Sequence, residues 1–233
     1  MLKSRTLLIA SSAALWTVPS LAQSDPLKEA WSRCEAGPTQ NQTVIEGCTA
    51  VINSGKERGQ DLAAAHAIRA SALADKGDFT AAAQDFTEAI RLDPAKVVLL
   101  RYNRGVAYAR LGDRTKAIAD FDDVLRHNPN MANAFVERGI AYAINNDLDR
   151  AIADFTAAMR LEPNAADNYM NRGNAYDDKG NLTLALADYA RAIELDPNYG
   201  AAYYNRGKAL IRAGRTKEGE ADLAKARSLG FER

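Results

Sequence analysis

One signature returns every 34 residues along most of this chain, and a period of that length leaves a polypeptide few ways to bury itself. Asn103-Arg104-Gly105 with Asp120-Phe121 is followed by Arg138-Gly139 with Asp154-Phe155. Asn171-Arg172-Gly173 with Asp188-Tyr189 and Asn205-Arg206-Gly207 with Asp222-Leu223 complete the series. A unit this short cannot cover its own apolar face, so copies must stack and share a core. We therefore expect an all-α solenoid built of helix-turn-helix hairpins.

The punctuation inside each copy has a physical cause. Gly77, Gly112, Gly180 and Gly214 stand where the first helix must end, with Asn146 in the third copy, and these residue types accept the left-handed conformation. Asp78, Asp113, Asp147 and Asn181 follow as N-caps of the second helix. Arg215 breaks that rule and leaves Thr216 as a weaker cap. Pro94, Pro129, Pro163 and Pro197 stop the second helix. Pro94 to Gly105 takes 11 steps where the later junctions take 10, which puts one extra residue in the first junction. The repeats fall at 63–97, 98–131, 132–165, 166–199 and 200–233. The last lacks a proline and ends at Ser228-Leu229-Gly230-Phe231, with no separate capping helix.

Residues 23–62 read as a degenerate hairpin that caps the stack. Leu27, Ala30, Trp31 and Cys34 lie at helical spacing between about Asp25 and Ala36, and Gly37-Pro38 ends that helix. A second helix runs from about Gln40 to Asn53 with Val44, Ile45, Cys48, Val51 and Ile52. A polar linker follows from Gly55 to Asp61. Ahead of all this, Lys3 and Arg5, an uncharged run from Thr6 to Val18 and Ser20-Leu21-Ala22 form a signal-peptide pattern over 1–22, with an uncleaved anchor as the alternative. Gln23 stands where a lipoprotein would carry cysteine. In an exported chain Cys34 and Cys48 read as one disulfide, the alternative being two buried thiols.

Several functions are disfavoured. Thirty basic and 30 acidic residues leave no net charge, so a nucleic-acid stripe is not expected. His66 and His127 are the only histidines and have no Cys or acidic triad near them in sequence, and no nucleophile set or phosphate loop occurs. We expect neither metal nor cofactor, and no catalysis.

These columns resemble the tetratricopeptide repeat family over about residues 63–233. The resemblance implies a right-handed superhelix whose first helices line a concave groove that binds peptides or partner proteins. Two departures stand out: arginine replaces the usual apolar residue before the glycine, and the aromatic column reads His66 and Arg101 in the first two repeats, implying looser packing there. The groove also lacks the lysine-rich set with which some members clamp a C-terminal carboxylate.

At 100° per residue, Phe135, Gly139 and Tyr142 point inward, while Asn133, Glu137, Ile140 and Ile144 lie opposite, toward the groove. Their counterparts include Ile68, Ser71 and Asp75; Leu99, Asn103, Val106 and Arg110; Asp167, Asn171, Asn174 and Asp178; and Asn205, Lys208 and Arg212. Tyr102 and Tyr204 sit at the edge. Asn103, Asn171 and Asn205 form an amide column interrupted by Glu137, able to grip a peptide backbone through paired donors and acceptors, unless they are simply solvated. Leu99, Val106, Ile140 and Ile144 suggest an apolar strip. Arg69, Arg104, Arg138, Arg172 and Arg206 each precede an aspartate by 16 residues, which reads as a repeated ion pair within or between hairpins, or as an anion-binding row. The expected function is a non-enzymatic protein–protein interaction scaffold. It would hold a peptide segment or helix of an envelope protein, in the bacterial periplasm by resemblance, without membrane insertion. The alternative is an assembly factor that self-associates through its terminal hairpin, as a homo-oligomer.

Overall fold

A computed structural model describes residues 25–37 and 39–231. The expected signal peptide and the Pro38 helix stop lie outside the described residues. Six hairpins follow one another among the described residues. They are α1 (Pro26–Cys34) with α2 (Asn41–Asn53), α3 (Gly59–Asp75) with α4 (Phe79–Leu92), and α5 (Val97–Leu111) with α6 (Arg114–His127). Then come α7 (Ala132–Ile144) with α8 (Leu148–Leu161), α9 (Ala166–Asp178) with α10 (Leu182–Leu195), and α11 (Gly200–Arg212) with α12 (Thr216–Ser228). No strand occurs among the described residues.

The local signals act as the sequence suggests. Gly77, Gly112, Gly180 and Gly214 have positive φ, and Asn146 is the one described non-glycine residue that does, at 60°. Asp78, Asp113, Asp147 and Asn181 each accept a hydrogen bond from the backbone N–H three residues on, at 3.1–3.3 Å. The extra residue of the first junction is absorbed in a 3-10 turn at Pro94–Lys96. Two expectations are corrected. Residues Gly59 to Asp61 join α3, which starts at Gly59 with a positive φ of 53°, so the linker is shorter than Gly55 to Asp61. Thr216 does not cap α12: Arg215 holds the cap position and no side chain bonds there.

In α5/α6, α7/α8 and α9/α10 the two helices meet through glycine and an aromatic ring, while in α3/α4 Ala70 holds that column and packs in one cluster with Phe86. A Cβ on Gly139 would lie 2.8 Å from the Phe155 ring, so at this spacing a larger residue would push the ring away. In the last hairpin Leu223 replaces the ring, and Gly207 instead meets the backbone of Gly219. Each first helix touches the next first helix, from α1·α3 to α9·α11, whereas no second helix touches the next one among the described residues. The first helices therefore lie on the inside of the curve.

Arginine then braces the stack. Arg69, Arg104, Arg138, Arg172 and Arg206 each grip the buried carboxylate of Asp85, Asp120, Asp154, Asp188 or Asp222 through Nε and Nη2 at 2.7–2.9 Å. The remaining Nη1 reaches back to the preceding hairpin, to Thr49, Thr87, Asp122 or Thr156, at 2.5–3.1 Å. Ala190 fills that column before Arg206, which makes no such bond among the described residues. His66 and Arg101, expected to loosen packing, are engaged: buried His66 Nδ1 lies 2.8 Å from Asp85 and Arg101 pairs with Asp123. Burial works to raise the Asp85 carboxyl, but bonds from Arg69 and His66 outweigh it and hold it below the usual range.

The ends are closed differently. A disulfide joins Cys34 to Cys48, both fully buried, and a Cβ on Gly47 would collide with the Cys34 backbone nitrogen. Closing a loop of this length contributes about 3 kcal/mol in the chain-entropy model. At the other end Phe231 folds back on Tyr204, ring centroids 5.5 Å apart, while α12 exposes Lys217, Glu218, Glu220, Lys225 and Arg227. A polar outer face is what a terminal helix needs. Replacing Arg138 with Met strands Asp154 inside the fold and should cost about 3 kcal/mol in urea unfolding. A loss below about 0.5 kcal/mol, the size of an ordinary surface change, would contradict the bracing role.

Candidate protein-binding groove

The brace and the ring contacts lie between the helices, so the concave columns of α3, α5, α7, α9 and α11 are left to face the groove. Asn103, Glu137, Asn171 and Asn205 all sit there half-buried. They do not form a uniform ladder. Asn205 Nδ2 donates to Asn174 Oδ1 at 2.9 Å, and the Tyr189 hydroxyl donates to the same oxygen at 2.9 Å. Asn103 and Asn171 make no side-chain hydrogen bond among the described residues.

Tyr189 occupies the column that holds Phe86, Phe121 and Phe155 elsewhere. Its ring is core, and only the added hydroxyl reaches the groove. The lone Phe-to-Tyr change in that column was the sequence signal for it. Burial first, and then the charges of Asp177 and Asp178, push this hydroxyl's pKa up, so it stays a donor. A cavity of about 330 Å³ opens above it, lined by Asn174, Asp177, Asp178, Tyr189, Asn205, Lys208 and Arg212. Arg212 crosses from α11 to pair with Asp177, a residue that helical angles alone did not place in the groove. Lys208 Nζ sits 5.4 Å above the Tyr204 ring, which joins these edge residues to the C-terminal closure.

A second cavity of about 370 Å³ lies at the other end, beside the disulfide, with Val44, Ile68, Ala72 and Asp75 in its walls. Between the two, the expected apolar strip is not continuous. Leu99 and Ile144 are each 58 % exposed, but Val106 and Ile140 are half-buried, Ile140 packing beside Tyr142 and Phe155. Leu99 corresponds to Asn133 in the third repeat, and 144 − 133 gives 11 residues, about 16 Å along the axis. Helical angle fixes a face but not a height, which is why the sequence joined them.

Glu137 lies midway. It forms no hydrogen bond or ion pair among the described residues, and burial raises its pKa while the field of Arg110 acts the other way. Tyr102 stacks at a tilt on Phe121, 6.0 Å between centroids, and its hydroxyl is raised by burial and by the charge of Glu137.

Stacked hairpins with their variable polar columns turned to one concave wall define the class of helical protein-interaction solenoids. The chain belongs to the tetratricopeptide repeat (TPR) family: tetratricopeptide repeat profiles match residues 63–96 and 102–167, and a TPR repeat profile matches 173–214. It is 38% identical over 65 residues to the tetratricopeptide repeat and J domain-containing co-chaperone DNJ1 of Cryptococcus neoformans. That match spans 28% of this chain and 12% of the co-chaperone's length. Among solved structures, MamA is 25% identical with a TM-score of 0.64, covering 69% of this chain and 94% of MamA. YrrB, a TPR protein with an unusual peptide-binding site, is 22% identical with a TM-score of 0.62, over 79% of this chain and 93% of its own. A tetratricopeptide repeat protein from Parabacteroides merdae shares the fold at a TM-score of 0.75 and 18% identity, over 89% of this chain and 79% of its own. The fold is that of a protein-interaction scaffold and implies protein partners. No helix among the described residues is long and apolar enough to cross a membrane.

Substituting Tyr189 with Phe leaves the core column as the other repeats have it and removes one donor. Stability should fall by about 1 kcal/mol. Side-chain amide protons of Asn174 and Asn205 should exchange faster by NMR; unchanged exchange would show that the hydroxyl does not order them.

Proposed function

We propose that this chain is an exported interaction module that holds a peptide segment or helix of an envelope protein against the concave face of α5, α7, α9 and α11. The network of Tyr189, Asn174 and Asn205 carries the proposal. It is an ordered set of polar groups at the floor of an open cavity, where neither core packing nor hairpin bracing requires it. Asn174 keeps an unused amide donor and Asn205 an unused carbonyl, the two functions that a peptide group needs. The absence of a nucleophile set in the sequence favours binding over chemistry. The leader pattern of residues 1–22 supports export, and the paired Cys34 and Cys48 fit an oxidising compartment, which we take to be a bacterial periplasm.

Self-association through the terminal hairpin is the second reading. The charged outer face of α12 and the return of Phe231 onto Tyr204 favour closure of the stack over growth from it.

Affinity capture from an envelope extract tests the groove, using wild type beside a variant with Asn103, Asn171 and Asn205 all changed to Ala. Alanine suits helices, so the fold should persist. The variant should lose one or more captured proteins that wild type retains. Identical captured sets would refute the amide grip, and a sedimentation coefficient that rises with concentration in both proteins would favour self-association.

A further inference from the structure

The 34-residue period allows the same place to be compared in two repeats. Asn205 bonds to Asn174 over the Tyr189 hydroxyl. Two periods earlier, Glu137 stands where Asn205 stands, Val106 where Asn174 stands, and Phe121 where Tyr189 stands. The amide network is thus replaced by a carboxylate over an apolar floor. Val106 and Phe121 offer no donor, the Tyr102 hydroxyl feels the charge of Glu137 without bonding to it, and Glu137 has no hydrogen bond elsewhere among the described residues. Arg110 is close enough to act through its field but forms no ion pair with it.

A half-buried carboxylate without a donor is costly to the free protein. A neutral donor arriving in the groove would satisfy one lone pair and leave the charge without an ion-pair partner. A cation removes both deficits. The half-buried side chains of Val106 and Ile140 beside it offer a bed for the aliphatic stem of such a residue.

We infer that Glu137 is the recognition point for a basic side chain, a lysine ammonium or arginine guanidinium, on the polypeptide held in the groove. The assignment rests on groove binding as proposed above and adds the chemistry of the bound segment at its centre. Glu137 then serves recognition at the expense of stability. A residue with a purely structural role would show the opposite sign.

The full chain, labelled with 15N, would be titrated with three capped alanine-glutamine peptides that differ only in a central arginine, norleucine or glutamate. Resonances of Val106, Glu137 and Ile140 report binding. The arginine peptide should bind about tenfold tighter than the norleucine peptide, the scale of a hydrogen bond to a charged group. The glutamate peptide should bind weakest. Glu137→Gln should abolish the preference for arginine and raise the thermal midpoint of the unliganded protein. Peptides that bind the groove without regard to the central residue, or a Glu137→Gln variant that keeps the preference or melts lower, would overturn this assignment and leave groove binding intact. If none of the three moves any groove resonance, groove binding by extended peptides falls with it.

Discussion

In each of five hairpins an arginine guanidinium holds a buried carboxylate 16 residues further on through two parallel bonds, and four of the five also reach the hairpin before. One side chain therefore fixes two spacings: that between the helices of a hairpin and that between successive hairpins. A planar fork suits this geometry where an ammonium would not. Its net contribution over a well-packed apolar residue is small, because burying both charges costs nearly what their attraction returns. What it supplies is register, since a sliding or rotated hairpin would strand an aspartate without a donor.

With register held between the helices, the columns on the concave wall are less constrained by packing, although Ile68 and Ile140 still pack against core clusters. They differ from repeat to repeat in a way the inner columns do not. Alanine recurs at the inner contacts, as in Ala117, Ala151 and Ala185, all fully buried. The groove column runs Ile68, Asn103, Glu137, Asn171, Asn205. Variation confined to one wall of a repetitive scaffold is how a solenoid acquires a binding face without losing its stack. Here the wall is graded, apolar beside the disulfide hairpin, acidic at Glu137, and amide-rich with both charge signs between α9 and α11.

Much of this was readable from the chain. The glycine and aspartate punctuation depends on backbone conformations that few residues supply, so Gly112-Asp113 and Asn146-Asp147 announce their turns. Arg138 and Asp154 could be paired because the period repeats their spacing five times. Other features were not readable. The hydroxyl of Tyr189 looked like one more core aromatic, because a column assigns a ring to the interior and says nothing of its far end. Asp177 lies off the groove face by angle and enters through the reach of Arg212 from the next repeat. Leu99 and Ile144 share a face but not a height. Each of these depends on length along an axis or on a contact between repeats, which a helical projection discards.

In the proposed function, partners are held by the first helices while the second helices only support them. Hydrogen–deuterium exchange on the chain alone and in complex with a captured envelope protein tests it most directly. Exchange should slow in α5, α7, α9 and α11 on binding and remain unchanged in α6, α8, α10 and α12. Protection confined to the second helices, or to the outer face of α12, would contradict it.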